Sequence, residues 1–237
     1  MNFEYGSHIP IFISVHDKVY QLQQTIKSYE EVIKTPIKIV LFNHNTTYGP
    51  CLEYLKKMEN DGYTIYNHYD TNKRDKKYGD LIRKSRNTNL IKCINDYLIK
   101  NPEVNYVVVT DTDMELIDGN DILNLYVEYY KKYKNIEVPI GTSLKIDDVP
   151  KNYHKYDLMF RTESKFWLEE KKIEMNLLDK KIIGYKTPID TTFKLYHKEW
   201  FNKKRDTLYT KNAIRTDYPY QCKHLDWYVN KKNATPD

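Results

Sequence analysis

A run of apolar residues that ends in two closely spaced acids is the most constraining feature of this sequence. Residues 104–110 read Val-Asn-Tyr-Val-Val-Val-Thr, and Asp111 and Asp113 follow directly. A nearly continuous apolar strand is typical of a parallel sheet with both faces covered. The segment therefore predicts a central strand of an α/β fold. It also places two carboxylates at the carboxyl end of that strand, where open α/β sheets bind their ligands.

The close spacing of the two carboxylates has an electrostatic consequence. Because like charges repel, either one carboxyl group keeps its proton or a cation neutralises both. A hard divalent cation held by one or two carboxylates and by diphosphate oxygens satisfies such a pair. Asp111 and Asp113 are therefore predicted to bind a metal ion. The alternative is that they only cap the turn after the strand, since an Asp-x-Asp match by itself is common.

Strand and helix patterns alternate along the chain. The predicted strands are residues 9–15, 37–42, 63–66, 104–110, 138–142, 182–185 and 192–197, and the predicted helices are residues 19–33, 52–58, 80–99, 122–133 and 163–178. Residues 143–160 are predicted to form a loop, and residues 211–230 show no clear period. Repeated β-α-β order with short connections indicates a mostly parallel central sheet with helices on both faces and right-handed crossovers.

Length, charge and cysteine usage narrow the class of protein. The 237 residues contain no linker-like stretch, which predicts one domain over residues 1–237. The net charge of +5 arises from interspersed charges without a basic stripe, so no nucleic-acid partner is expected. Three distant cysteines without Cys-x-x-Cys spacing predict a reducing, cytoplasmic location. The first apolar run is too short for a transmembrane segment, and none is predicted.

Several segments together resemble the GT-A-fold glycosyltransferases, including capsule-type and viral transferases of this fold. These segments are residues 9–17, 37–43 and 105–115, Thr187-Pro-Ile-Asp-Thr-Thr-Phe193 and Lys223-His-Leu-Asp-Trp-Tyr228. The resemblance implies a Rossmann-like GT-A fold and a nucleotide-sugar donor, expected to be a UDP-sugar. The acceptor would be a hydroxyl group of a glycan or related molecule. It also implies a Mn²⁺ or Mg²⁺ ion bound by Asp111, Asp113 and His224.

The resemblance also implies which residues contact the donor. The ends of the first two strands would surround the nucleoside, and basic residues before the acidic pair would face the diphosphate. The implied donor-binding residues are Ser14, Val15, His16, Asp17, Asn43, Lys84, Arg86, Asp111 and Thr112. Four of these assignments have structural alternatives, because His16 and Asp17 can also form an ordinary helix entry. Asp17 can cap the helix that follows it, and Lys84 and Arg86 can be ordinary surface charges of a helix.

Two residues near the carboxyl-terminal end have roles that the sequence leaves open. His224 either binds the metal ion or packs among neighbouring aromatic side chains. Asp190 has three possible roles, because it can act as a general base, bind a sugar hydroxyl group, or cap the Thr191-Thr192 turn. The role predicted for Asp190 is the general base of an inverting transfer.

Other protein classes have different sequence patterns. A sugar-1-phosphate nucleotidyltransferase is expected to have a glycine-rich loop after its first strand, whereas residues 14–18 of this chain are Ser-Val-His-Asp-Lys. No Gly-x-Gly-x-x-Gly or Walker-type loop occurs. A binding module that kept the fold and lost turnover is a further alternative. The presence of Asp111, Asp113 and His224 argues against it.

Overall fold

The computed structural model describes residues 6–69, 79–117, 121–189, 192–203 and 205–229, with the backbone alone at 79–84. Within these ranges, ten strands form one sheet. The strands are β1 Ile9–Val15, β2 Ile37–His44, β3 Thr64–His68, β4 Tyr106–Asp111, β5 Met114–Leu116, β6 Ile140–Leu144, β7 Lys172–Leu177, β8 Lys180–Lys186, β9 Lys194–His197 and β10 Ile214–His224. The α-helices are α1 Val19–Val32, α2 Gly49–Asn60, α3 Gly79–Lys100, α4 Ile122–Tyr133 and α5 Tyr156–Glu163.

The sheet is parallel in one half and mixed in the other. Its order is β3-β2-β1-β4-β9-β6-β10-β8-β7, and β5 pairs with β10. Strands β1 to β4 are parallel, as are β6 and β10. Strand β9 runs antiparallel to both of its neighbours, β4 and β6. All six of these parallel strands therefore point the same way, and their carboxyl ends lie at one edge of the sheet.

Helices cover both faces of the sheet, which confirms the predicted α/β architecture. On one face, Ile11 and Ile13 of β1 belong to the same apolar core as buried residues of α1, α2 and α4. On the other face, Phe12 packs with buried residues of α3 and with Trp200. The alternation along β1 arises because successive side chains of a strand point to opposite faces. Because both faces are buried, the sequence of this strand is almost entirely apolar, with Ser14 as its single polar residue.

The prediction of a helix at residues 163–178 is wrong. This region contains the end of α5, two short 3-10 turns, and β7, which pairs antiparallel with β8. In β7 the residues alternate, with Met175 and Leu177 buried and Lys172, Glu174 and Asn176 exposed. Leu178 and Asp179 have φ angles of 49° and 57°, the left-handed conformation that a tight two-residue hairpin turn requires. Residues 172–177 therefore alternate with the period of two of a strand, in a hairpin at the edge of the sheet, and do not follow the helical period that was expected.

Two further segments also differ from the sequence-based prediction. The predicted loop at 143–160 contains the beginning of α5 at Tyr156. The segment 211–230, which shows no period, contains β10, the longest strand described. The register of β10 against β6 shifts between Thr216 and Gln221. Such an irregularity interrupts the alternation of inward and outward side chains, and this explains why the sequence pattern did not reveal the strand.

Gly141 of β6 provides a test of the close contact between β6 and β9. A Cβ atom on Gly141 would lie 2.7 Å from the carbonyl oxygen of Phe193. We therefore expect Gly141→Ala to lower the free energy of unfolding by about 1–3 kcal/mol through overpacking. Gly49→Ala is the matched control, because no heavy atom lies within 4 Å of its added Cβ. Urea denaturation measures both, and equal stabilities of the two variants would contradict the close contact.

Candidate functional site

The pairing of β10 with β5 brings two distant parts of the chain together. In this antiparallel pair, His224 lies opposite Met114. The amide of Leu225 also donates a hydrogen bond to the carbonyl oxygen of Asp113, at 2.8 Å. As a result, Nδ1 of His224 lies 3.4 Å from Oδ2 of Asp113. Two of the three residues predicted to bind a metal ion are therefore neighbours at the carboxyl edge of the sheet.

Lys18 was not singled out from the sequence, yet its ammonium group contacts the carboxylate of Asp113 directly. Its Nζ atom lies 2.9 Å from Oδ2 of Asp113 and 2.6 Å from Oδ2 of Asp226. Burial raises the pKa of Asp113, but the neighbouring His224 and the ammonium group of Lys18 outweigh burial and hold that pKa below its usual range. Burial lowers the pKa of Lys18, and the two carboxylates more than reverse this. The pair is therefore ionised.

The second carboxylate, Asp226, belongs to the short helical turn Leu225–Tyr228 that follows β10. Gln21 of α1 donates to its Oδ1 at 3.4 Å, and Nζ of Lys155 lies 3.8 Å from its Oδ2. The ring of Trp227 stacks on that of His224, with centroids 4.6 Å apart. The turn thus contacts both the beginning of α1 and the loop before α5. Asp226 lies in the same sequence segment as His224, and this proximity was the only signal that could have indicated it.

The side chains at this edge can be tested for their fit to a divalent cation. The Nδ1 atom of His224 is buried without a hydrogen-bond partner, and it faces the ionised carboxylate of Asp113. A carboxylate and an imidazole are acceptable ligands for Mn²⁺. The two residues therefore fit as an anchor for a cation whose remaining ligands are water and phosphate oxygens. In the described part of the chain, no three His, Cys, Asp or Glu side chains are grouped so that they could hold a metal ion.

Residues predicted to surround the nucleoside lie at the same edge. Strand registers place Ser14 beside Phe42 and Asp111, and Val15 beside Asn43. The side-chain amide of Asn43 donates to Oδ1 of Asn67 at 2.8 Å and to the hydroxyl group of Tyr69 at 3.0 Å. Polar side chains therefore lie together at the carboxyl ends of β1, β2 and β3. Their position agrees with the rule that ligands bind at the carboxyl ends of parallel strands.

The contacts of Asp17 and His16 are with the loop before α2. The carboxylate of Asp17 accepts hydrogen bonds from the amides of Thr47 and Tyr48, at 2.6 and 2.8 Å. The ring of His16 donates from Nδ1 to the carbonyl oxygen of His44 at 2.8 Å. The alternative that Asp17 caps α1 is wrong, because Lys18 occupies that N-cap position. Asp17 instead supports the beginning of the next helix, α2.

Thr112 fixes the turn between the two acids. Its hydroxyl group donates to the carbonyl oxygen of Ser14, and its own carbonyl oxygen accepts from the hydroxyl group of Thr25 at 2.7 Å. The turn is therefore attached both to β1 and to α1.

Arg86, half-buried in α3, donates to Oδ1 of Asn87 at 3.5 Å. Roles of Thr112 and Arg86 in donor binding stay predictions.

Two predicted residues fall outside the described residues. They are Asp190 and the side chain of Lys84. The strand that follows Asp190 in the sequence, β9, is described, and its Lys194 pairs with Val109 of β4. Since β9 is antiparallel to β4, β9 begins at the edge of the sheet where β4 ends.

Comparisons with known proteins identify the fold. No protein-family model and no curated protein sequence matches this chain. A solved structure of the mannosyltransferase PcManGT from Pyrobaculum calidifontis, in complex with GDP-Man and Mn²⁺, is similar over 98% of this chain and 59% of its own, with a TM-score of 0.52 and 11% identity. A solved structure of S. aureus TarS 1–349 is similar over 80% of this chain and 47% of its own, with a TM-score of 0.44 and 14% identity.

The similarity to the mannosyltransferase confirms the predicted fold class. The chain has a mixed α/β fold of the GT-A type, with a central sheet that is parallel in its core. The chain spans 59% of the length of that mannosyltransferase. None of the described helices is long and apolar enough to cross a lipid bilayer.

The pKa of Asp17 leads to a pH-dependent prediction. Burial raises this pKa, but the amides of Tyr48 and Thr47 outweigh burial and lower it. A lowered folded-state pKa gives stability that is present above the unfolded pKa of about 3.9 and is lost as the pH falls through the folded value. We expect the stability advantage of the wild-type protein over Asp17→Asn to disappear on acidification between these values. A constant difference between the two proteins in urea titrations at several pH values would contradict this.

Proposed function

We propose that this chain is a glycosyltransferase that moves a sugar from a nucleoside diphosphate donor to a hydroxyl group of a glycan or related acceptor. The proposed donor is a UDP-sugar, and the proposed cofactor is Mn²⁺ or Mg²⁺. One observation carries the proposal. The buried carboxylate of Asp113 lies 3.4 Å from Nδ1 of His224, an atom that has no hydrogen-bond partner, at the carboxyl edge of a GT-A-type sheet. The mannosyltransferase of similar fold was solved with a nucleotide sugar and Mn²⁺.

The residues of this edge divide the work of donor binding. In the proposal, Ser14, Val15 and Asn43 contact the nucleoside from the ends of β1 and β2. Asp111, Asp113 and His224 hold the cation, and Lys84 and Arg86 face the diphosphate. A bound divalent ion neutralises charge that develops on the leaving diphosphate. The turn at Thr112, attached to β1 and α1, keeps the acidic residues in place while the donor binds.

Asp190 is proposed as the general base of an inverting transfer. Its supporting observation is the path of the chain, since β9, the strand that follows it, begins at the edge of the sheet where β4 ends. On either side of Asp190 the chain is fixed. The carbonyl oxygen of Ile189 accepts from the ammonium group of Lys194 at 3.2 Å, and the hydroxyl group of Thr192 donates to the carbonyl oxygen of Thr142 at 3.5 Å.

Metal-dependent donor binding is the first test of the proposal. We expect UDP-sugar binding, measured by calorimetry, to require Mn²⁺ or Mg²⁺. Asp113→Asn should weaken binding by about tenfold to a hundredfold, because it removes a ligand charge and little volume. Asp147→Asn is the control, since its carboxylate is 77% exposed and pairs with Lys145. GDP- and dTDP-sugars belong in the same panel, because the edge residues alone do not identify the base.

Two results would overturn this assignment. Equal donor affinity in EDTA and in Mn²⁺, for the wild-type protein and for Asp113→Asn, would indicate a binding module without a metal ion. Pyrophosphate release from a nucleoside triphosphate and a sugar phosphate would indicate a nucleotidyltransferase. A circular dichroism melt of each variant separates loss of binding from loss of the fold.

The cytoplasmic location proposed from the cysteine pattern is tested separately, by fractionation of cells.

Substitution of Asp190 tests the proposed base. We expect Asp190→Asn to lower the transfer rate by about 10²–10⁴-fold and to leave donor affinity nearly unchanged, because a general base acts on the acceptor. Asp157→Asn, in the exposed first turn of α5, is the matched control. NMR of the anomeric proton in donor and product reports the stereochemistry. Retention of the donor configuration would exclude this role for Asp190, whatever the transfer rate of the variant.

A further inference from the structure

The ammonium group of Lys18 occupies the space next to the buried carboxylate of the site. It lies 2.9 Å from Oδ2 of Asp113 and 2.6 Å from Oδ2 of Asp226. The side chain of Asp113 is only 3% exposed, whereas that of Lys18 is 38% exposed. The Oδ2 atom of Asp113 that accepts from Lys18 is also the atom that faces Nδ1 of His224. The ammonium group of Lys18 therefore contacts the same carboxylate oxygen that, together with Nδ1 of His224, would hold a divalent cation.

We propose that Lys18 is the resident counter-ion of Asp113 and that a divalent cation gains this carboxylate only by displacing the lysine ammonium group. The inference rests on the proposed function, because it takes the incoming ion to be the Mn²⁺ or Mg²⁺ of the donor complex. It adds a competitor within the chain to that function. The affinity for the metal ion then depends on how much more strongly this oxygen binds the metal ion than it binds the ammonium group. It is therefore lower than it would be without the lysine.

Electrostatics requires the exchange. A carboxylate with almost no contact to water must be paired, since an uncompensated buried charge is strongly destabilising. Lys18 meets this need while the divalent ion is absent. Two cations at one carboxylate oxygen repel each other, so the ammonium group must leave when the divalent ion arrives.

The geometry allows the exchange without leaving a new unpaired charge. Lysine carries its charge on a flexible stem of four carbons, and this side chain is partly exposed. After displacement, the ammonium group keeps Asp226, which it already contacts at 2.6 Å, as its partner. Asp226 is less buried than Asp113, with a side chain that is 17% exposed. Asp226 therefore serves as the site that retains Lys18 when Asp113 takes the metal ion.

Replacement of Lys18 by a neutral residue of similar length tests the inference. We expect Lys18→Met to tighten Mn²⁺ binding by about tenfold or more, which is the effect that one close charge has on a proton equilibrium. Calorimetry of the full chain with MnCl₂ alone, without donor or turnover, measures this. Lys155→Met is the matched control, because that lysine lies 3.8 Å from Asp226 and is half-buried like Lys18. We expect its Mn²⁺ affinity to stay within about threefold of the wild-type value, as for a weak, partly exposed ion pair.

A second measurement covers the case in which Lys18→Met folds poorly. Lys18→Gln keeps a hydrogen-bond donor for Asp113 and removes the charge, so the same tightening is expected. In both variants Mn²⁺ should raise the melting temperature more than it does in the wild-type protein, because a ligand stabilises the state that it binds. Both readouts report binding and not catalysis.

The outcomes separate this inference from the proposed function. Mn²⁺ binding that is unchanged or weaker in both neutral variants, with normal donor binding in Mn²⁺, would overturn the role of Lys18 and leave the proposed function standing. Absence of Mn²⁺ binding in all proteins would overturn both the role of Lys18 and the metal ion of the proposed function. Equal tightening in Lys155→Met would also overturn it, since the effect would then be one of general charge.

Discussion

The carboxylate of Asp113 is ionised and has almost no contact with water, and such a charge persists in a protein only where opposite charges and hydrogen bonds replace its hydration. Two separate parts of the chain supply these contacts, and the backbone holds the second of them in place. Lys18 comes from the residue before α1, His224 from the end of β10, and the backbone of Leu225 closes the ladder beside it. The position of α1 and the pairing of β10 with β5 are therefore coupled to the charge state of one side chain.

The mixed sheet makes this meeting possible. Parallel strands bring the ends of β1, β2 and β4 to one edge, and the reversed strand β9 begins at that same edge. Strand β10 is long enough to pair with β6 and β8 near its beginning and with β5 at its end. It thus connects the outer hairpin to the acidic turn. The site is built from strand ends whose positions are fixed by backbone pairing, and only the charged side chains between them are free to exchange partners.

The comparison of sequence and structure is instructive where it failed. Ile9–Val15 was predicted with its observed bounds, because a strand buried on both faces has a strong local signature. The segment 163–178 was predicted as a helix, but the alternation in β7 becomes decisive only when β8 pairs with it. The irregular register of β10 removed the period that would have marked it as a strand. Edge strands and bulged strands depend on their partners, so their local sequence carries little information.

The sequence by itself determined the order of strands and helices from β1 to β4, and it placed an acidic pair at the end of a buried strand, since both follow from local periodicity and local charge. It also indicated His224 and Asp190 through a resemblance of short segments. Only the tertiary structure decided that Lys18 and Asp226 flank Asp113 and that Asp17 supports α2. These contacts join residues that are far apart in the chain. Their partners are selected by the strand register and by the need to neutralise a buried charge, and neither is encoded in the residues of one segment.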